Sequence, residues 1–297
     1  MQWYFIVLLG TIVNALFVVI TKKTLLKEHS IEFSSAISFL MLVISLPLLF
    51  FIDVKLRPGQ IAIVYVISAL FTIAFVYNMK AIRHMDVSVV APLSTFTTAI
   101  TAILAVIFLK EEIKLMQAAG ILLLLAGAYV LQAQEHMHNL VAPFKKLCKS
   151  RYIGYLFTAL FFFSCAFLLI RFIVNSDSSY YIKTSTFVLL LHVFISLNFF
   201  TITTLFYRGL KTYDAGLKSL KMMVLLAILL VFYRLLQFTA ISIPTAKIAF
   251  VMALSEMYVF FVVLIGGRMF HENGMKRKAI GTVIMVIGVL VIIFGGS

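Results

Sequence analysis

The sequence predicts an all-α integral membrane protein of ten transmembrane helices, arranged as two inverted five-helix repeats. Its 297 residues are 63% hydrophobic and only 12% charged, whereas soluble domains carry roughly 25% charged residues. Apolar stretches of about 20 residues, the length that crosses a bilayer as a helix, recur along the chain. Consecutive apolar runs such as residues 121–125 lack the alternation of barrel strands, so the spans are predicted to be helices.

The predicted spans follow one another with short polar breaks. The longest break, residues 134–151, leaves no room for a soluble domain, so function must reside between the helices. Numbered helix 1 to helix 10, the predicted spans are residues 3–21, 32–52, 59–79, 87–109, 116–133, 152–174, 184–206, 222–241, 246–267 and 279–295.

The net charge of +14 comes from basic residues that mostly flank these helices. In such places Lys and Arg contact anionic lipid and orient the chain, so we expect membrane lipids as partners and no nucleic acid. Cys148 and Cys165 form neither a disulfide framework nor a metal-ligand spacing. His136 and His138 alone are a weak metal signal. We therefore expect no cofactor and no resident metal.

An internal repeat appears when the chain is slid against itself by 161 residues. It divides the chain into a first five-helix repeat at 1–133, a basic connecting loop at 134–151 and a second repeat at 152–297. Because five is odd, the second repeat enters the membrane in the opposite orientation, as in many secondary transporters. The seven-residue spacing of glycines predicts close packing in helices 5 and 10. The matched residues are Ser94 and Ser255, Glu111 and Glu272, Gly120 and Gly281, and Gly127 and Gly288.

The segment from Ala81 to Gly127 resembles the repeat signature of the EamA-type transporters, in the drug/metabolite transporter superfamily. It ends a helix in Leu-Lys-Glu-Glu at 109–112 and continues to Gly120 and Ala-Gly at 126–127. Asn14, before Thr-Lys-Lys at 21–23, is similar to the family's amino-terminal pattern. The resemblance implies ten helices around a central cavity lined by helices 1, 3, 4, 6, 8 and 9. It also implies a structural role for helices 5 and 10.

The sequence departs from the family at one motif. A Glu-Pro pair is frequent in helices 4 and 9 of the family, whereas this chain has Thr97-Thr98 at that place in helix 4. In helix 9 the pair Glu256-Met257 falls about two residues early. The residues alone leave open whether Glu256 takes a family role.

Three ionisable residues lie inside predicted helices, where insertion of a charge costs roughly 2.5 to 3.5 kcal/mol. Glu256 is interpreted as a site for proton coupling or for binding a substrate ammonium group. The alternative is a structural ion pair with Arg234. Arg234 could instead anchor a carboxylate or phosphate through its fork of donors. Arg171, near the end of helix 6, either contacts substrate or snorkels to the headgroups.

Polar residues in the same helices complete the candidate site. Thr97 shares one helical face with Ser94, Thr98 and Thr101, which predicts either a cavity lining or hydrogen bonds to other helices. His192 in helix 7 is interpreted as a satisfied structural residue. The candidate substrate-binding residues are Asn14, Asn78, Ser94, Thr98, Thr101, Arg171, Tyr233, Arg234, Gln237, Ser255 and Glu256.

These patterns favour a secondary active transporter that moves a small polar or amphiphilic metabolite, such as an amino acid or organic anion, by alternating access. Proton or ion coupling and a monomer or homodimer are both compatible with the sequence. A lipid-linked carrier flippase on the same fold is the alternative. A lipid-metabolism enzyme is disfavoured, because no G-x-x-x-x-G-K-[ST], H-E-x-x-H or G-x-S-x-G motif occurs. We expect a multi-pass protein of the plasma or inner membrane, with both termini on one side.

Overall fold

The structure is a computed structural model that describes residues 3–25, 30–52, 56–84, 93–132, 151–207, 220–261 and 275–295. Within these ranges the chain forms ten α-helices, one 3₁₀ helix and no strand. The helices are α1 (Trp3–Leu25), α2 (Ser30–Ser45, continued by the 3₁₀ helix Leu46–Phe51), α3 (Pro58–His84), α4 (Phe96–Leu109), α5 (Leu115–Gln132), α6 (Arg151–Val174), α7 (Thr184–Phe206), α8 (Leu220–Ser242), α9 (Ile248–Ser255) and α10 (Met275–Phe294).

The helical membrane fold predicted from the sequence is confirmed. Six described segments, in α1, α2 with its 3₁₀ extension, α3, α6, α7 and α8, are long and apolar enough to cross a membrane. Shorter apolar helices occur at Phe96–Leu109, Leu115–Gly127, Ile248–Phe261 and Val283–Phe294. The ten described α-helices overlap the ten predicted spans one to one and in the same order. The largest difference is at helix 9, where α9 ends at Ser255 and helical structure resumes over 258–261.

The chain divides into two compact units. The first unit comprises Met1–Ile73 and Leu169–Ala246; the second comprises Ala74–Leu168 and Lys247–Ser297. Each unit therefore draws residues from both predicted repeats. The repeat boundaries remain a prediction, and Glu272 of the repeat lies outside the described residues.

In the first unit, α1 packs on α8, and α2 packs on both α7 and α8. Gly10 lies at the α1–α8 contact, where an added Cβ would be 3.6 Å from Leu236 Cβ. The aromatic rings of Phe187 and Phe238 meet edge to face with centroids 5.3 Å apart. This packing fixes the positions of the polar side chains on α7 and α8. The buried core between α2 and α8 contains Phe33, Ala36, Ile37, Met41, Met223, Leu226, Ala227 and Val231.

In the second unit, α5 and α10 touch backbone to backbone. A Cβ on Gly127 would lie 2.7 Å from Met285 N, and one on Gly288 would lie 2.7 Å from Leu124 N. A Cβ on Gly120 would lie 3.0 Å from Gly288 O. Real Cβ atoms do not approach other atoms this closely, so only glycine permits the contact. The packing role predicted for these glycines is confirmed.

The loop after α4 holds the start of α9. Lys110 ends α4 in the left-handed conformation, with φ 53° and ψ 33°, a common way for a helix to terminate. The turn brings Glu111 to α9, where its Oε1 accepts a hydrogen bond of 3.0 Å from Ile248 N. Lys247 Nζ donates to the carbonyl oxygen of Glu112. A carboxylate at a helix N-terminus accepts from a free N–H and interacts favourably with the positive end of the helix dipole.

Candidate functional site

Two helices of the second unit are interrupted at positions that the repeat relates. Leu93 and Ser94 are helical, Thr95 forms a turn, and α4 begins at Phe96. Thr98 N donates to Thr95 O at 3.1 Å, an i to i+3 bond. The 161-residue offset that matches Ser94 with Ser255 also matches Thr95 with Glu256.

The second interruption is at Glu256 itself. Glu256 N donates to Ala253 O, and Met257 N to Leu254 O, each at 3.1 Å. These i to i+3 bonds tighten the helix locally before it resumes at Tyr258. Pro92 lies three residues before Thr95 in the sequence, whereas no proline or glycine occurs at 253–259, so the break at Glu256 lacks the usual sequence cause. A 3₁₀ segment inside a helix often marks a hinge, and transporters built on inverted repeats bind substrate at interrupted helices.

The carboxyl of Glu256 contacts the polar face of α4. Thr98 Oγ1 donates a hydrogen bond of 2.9 Å to Glu256 Oε1. Thr98 is fully buried and Glu256 is 8% exposed. Among the described residues of its own unit, Glu256 has no cationic partner. A buried carboxyl is thus held by a neutral hydroxyl, which can donate to a carboxylate or accept from a carboxylic acid.

The other predicted polar residues of the second unit are placed differently. Thr101 Oγ1 donates to Thr97 O at 2.8 Å, and Ser255 Oγ donates to Val251 O at 2.7 Å, so both bond their own helices. Ser164 of α6, which the sequence did not single out, donates to the same Thr97 O at 3.1 Å. Ser94 and Asn78 are half-buried. Of the predicted set in this unit, the structure brings Thr98 and Glu256 together.

In the first unit, Arg171 is a structural clamp. Its side chain is 6% exposed, and Nη1 donates to Ile241 O and, at 2.9 Å, to Ile243 O. Nη2 donates to Pro244 O at 2.9 Å. The guanidinium therefore joins the last turn of α6 to the carbonyls that end α8, which the snorkelling interpretation did not foresee.

Arg234 has a different environment. Its guanidinium lies over the Phe71 ring, 5.4 Å from the centroid, in a cation–π arrangement. Arg234 Nη1 is inaccessible to solvent and has no hydrogen-bond partner in the part of the chain that the structure describes. Tyr233 and Asn14 are half-buried, and Gln237 is buried. Arg234 belongs to the first unit and Glu256 to the second, so their ion pair stays a hypothesis.

His192 is only half satisfied, whereas a satisfied residue was expected. Its Nδ1 is 2.6 Å from Ser45 Oγ, and it is fully buried. Its Nε2 has no hydrogen-bond partner among the described residues. His136, His138 and Cys148 lie outside those residues.

Asn198 of α7 is a further polar residue that sequence reasoning missed. Its Nδ2 donates to Ser68 Oγ at 3.2 Å and to Thr72 Oγ1 at 3.3 Å, joining α7 to α3. The position of this asparagine inside a predicted span could have indicated its role, since side-chain amides in transmembrane helices commonly form hydrogen bonds to neighbouring helices.

Comparison with known families identifies the amino-terminal part of the chain. The model of the EamA-like transporter family matches residues 1–132. The amino-terminal 132 residues are thus similar to the EamA-like transporter family. The resemblance seen from residue 81 to 127 is therefore confirmed, and the chain is a multi-pass integral membrane protein. The match indicates a membrane transporter of the drug/metabolite superfamily.

A solved structure shares the fold over nearly the whole chain. One crystal structure aligns with 97% of this chain and 95% of its own, with a TM-score of 0.71 and 16% sequence identity. At that identity the likeness concerns the fold alone. No curated protein matches this sequence significantly.

Proposed function

We propose that this EamA-type protein is a secondary active transporter that moves a small polar or amphiphilic metabolite by alternating access, with Glu256 as the proton-coupling carboxyl. The observation that carries the proposal is the hydrogen bond from Thr98 to Glu256, made where two repeat-related helices are interrupted.

The coupling follows from the cost of a charge in a low dielectric. A carboxylate without a cation is expensive inside a membrane, whereas the protonated acid is not. Protonation also changes the role of the Thr98 hydroxyl from donor to acceptor. The proton on Glu256 therefore alters the contact between α4 and α9 close to the interruptions of both helices. Substrate movement and proton movement are linked through that contact.

Glu256→Gln tests the coupling role, because glutamine keeps the hydrogen-bonding group and cannot titrate. The substrate is first chosen by a thermal-shift screen of amino acids, sugar phosphates, nucleotides and amphiphilic cations. In proteoliposomes, we expect the variant to lose at least tenfold of pH-gradient-driven uptake while keeping substrate exchange at equal pH. Glu112→Gln is the matched control, since Glu112 is exposed in the loop after α4. Full gradient-driven uptake by folded Glu256→Gln protein would remove the coupling role.

A structural ion pair between Glu256 and Arg234 predicts another pattern. Removing one member of a buried pair costs roughly 3 to 5 kcal/mol, and removing both restores much of the stability. We expect instead that Glu256→Gln with Arg234→Gln stays inactive even where it is stable. Melting temperatures and uptake of the single and double variants distinguish the two cases.

A further inference from the structure

Two polar groups of the first unit, on neighbouring helices α7 and α8, lack the partners that buried polar atoms normally have. Arg234 Nη1 and His192 Nε2 are inaccessible to solvent and have no hydrogen-bond partner among the described residues. The consecutive spans α7 and α8 run antiparallel, and Phe187 of α7 contacts Phe238 of α8 with ring centroids 5.3 Å apart. His192 and Arg234 each lie about one helical turn from that contact, in the same direction, so the two residues lie at one level of the helix pair. Leaving a buried polar group unsatisfied is costly, so such a pair suggests a missing ligand.

The hydrogen bonds of Ser45 determine which nitrogen of His192 carries the proton. Ser45 Oγ donates its single proton to Met41 O at 2.7 Å. Ser45 Oγ must then accept at its 2.6 Å contact with His192 Nδ1, so Nδ1 bears the imidazole proton. In the neutral ring, Nε2 is left with a lone pair. The free atom of His192 is therefore a hydrogen-bond acceptor.

Arg234 Nη1 is, by contrast, a cationic donor. Its guanidinium is positioned over Phe71 of α3, whose ring face favours a positive charge without consuming an N–H group. A free guanidinium donor selects an anionic oxygen, above all a carboxylate. The unit thus presents a donor for an anion on α8 and, at the same level of the neighbouring α7, an acceptor for a neutral or cationic N–H or O–H.

We propose that Arg234 and His192 recognise one substrate, a carboxylate whose α-substituent donates a hydrogen bond. Arg234 binds the carboxylate, and His192 Nε2 accepts from an α-hydroxyl or α-ammonium group. The inference rests on the proposed transport function, because it specifies the substrate class of the same protein. It adds α7 to the helices that the family resemblance assigned to substrate contact.

Equilibrium binding to the purified full chain in detergent tests this recognition with four probes of similar size. Lactate and alanine carry the carboxylate with a hydroxyl or an ammonium donor, propanoate lacks the donor, and lactamide lacks the charge. We expect lactate or alanine to bind at least about tenfold more tightly than propanoate, the effect of one hydrogen bond. Lactamide should bind more weakly than lactate. Which of lactate and alanine binds more tightly identifies the donor as hydroxyl or ammonium.

Two substitutions of His192 separate its two nitrogens. His192→Asn keeps an N–H that can donate to Ser45 and removes the acceptor at Nε2, whereas His192→Gln places an acceptor near the Nε2 position. The preference for lactate or alanine over propanoate should disappear in His192→Asn and persist in His192→Gln. Arg234→Gln should weaken all three carboxylates at least about tenfold, as expected for loss of a charged hydrogen bond.

Several results would overturn the proposal. One is equal binding of propanoate and its α-substituted analogues by the unmodified protein, a measurement that needs no variant to fold. A second is an unchanged preference for lactate or alanine over propanoate in His192→Asn. A third is the absence of binding of any carboxylate, which would indicate that a bound water bridges Arg234 and His192. Because binding is measured without a gradient, failure of Glu256 coupling leaves this result intact. Failure of the recognition site likewise leaves the Glu256 experiment interpretable.

Discussion

The two compact units handle their intramembrane charges in opposite ways. In the first, Arg171 donates three hydrogen bonds to the carbonyls of Ile241, Ile243 and Pro244 at the end of α8. In the second, the side-chain carboxyl of Glu256 has the hydroxyl of Thr98 as its one hydrogen-bond partner among the described residues. A helix end supplies free carbonyls that can hold a cation permanently. An interrupted helix with one neutral partner leaves a carboxyl free to change its protonation.

The comparison also holds inside the first unit, between Arg171 and Arg234. Both are arginines on apolar helices, yet one is fully engaged with backbone while Nη1 of the other has no partner in the described residues. The two helices also have similar mean hydropathy, 2.3 for the span in α6 and 2.2 for the span in α8. The difference comes from whether a helix terminus is within reach. In our proposal it separates a structural arginine from a substrate-binding one.

The largest expected effect is on stability, from Arg171→Met. This change removes three hydrogen bonds from a cation to carbonyls and should lower the free energy of unfolding by about 3 kcal/mol or more. Arg234→Met, the matched change, should cost far less stability. Thermal unfolding of both variants in the same detergent measures the contrast. Equal destabilisation would show that the two arginines have equivalent roles.

Gly288→Ala tests the backbone contact of the second unit. The new Cβ would lie 2.7 Å from Leu124 N, so α5 and α10 must separate, at a cost of about 1 to 3 kcal/mol. Gly154→Ala is the control, because its Cβ would meet nothing within 4 Å. That change should stabilise α6 by up to about 1 kcal/mol through helix propensity. A Gly288→Ala protein that melts like the parent would argue against the close packing.

Thr98→Val sharpens the comparison at Glu256. Loss of the hydroxyl removes the hydrogen bond to the carboxyl and should reduce gradient-driven uptake several-fold, with about 1 kcal/mol of lost stability. Thr101→Val is matched to it, since the Thr101 hydroxyl donates to the backbone of its own helix, at Thr97 O. Uptake by proteoliposomes decides between them. If both valine variants transport equally, the Thr98 contact has no part in coupling.

The smallest effect is expected at Lys110, which has a φ of 53°. Glycine adopts this conformation without the Cβ clash, so Lys110→Gly should stabilise the protein by up to about 1 kcal/mol. Lys114→Gly, at a residue outside the left-handed region, should instead destabilise it, because glycine adds freedom to the unfolded chain. Chemical denaturation compares the two glycine variants. Destabilisation by both would mean that the Lys110 side chain contributes more than its backbone costs.

The sequence predicted the helical membrane fold because long apolar runs have few alternatives in lipid. It also predicted the packing of α5 and α10, since Gly120 and Gly127 recur on one helical face. The sequence could not predict the partners of Arg171, because they are backbone carbonyls about 70 positions away in the chain. The interruption at Glu256 has no proline or glycine at 253–259, and hydropathy does not report backbone geometry. The contact between Thr98 and Glu256 joins residues 158 positions apart, and only tertiary structure reveals it.

The interleaved composition of the units has a consequence for biosynthesis. The first unit needs Leu169–Ala246 as well as Met1–Ile73, so its core cannot close when the early helices leave the ribosome. At roughly 5 to 20 residues per second, synthesis of the intervening segment takes on the order of 5 to 20 seconds. During that time α2 lies in the translocation channel or the bilayer without α7 and α8. Its serines at 34, 35 and 38 are buried in the finished protein. The surfaces of α2 that pack on α7 and α8 are therefore covered only when translation is well into the second half of the chain.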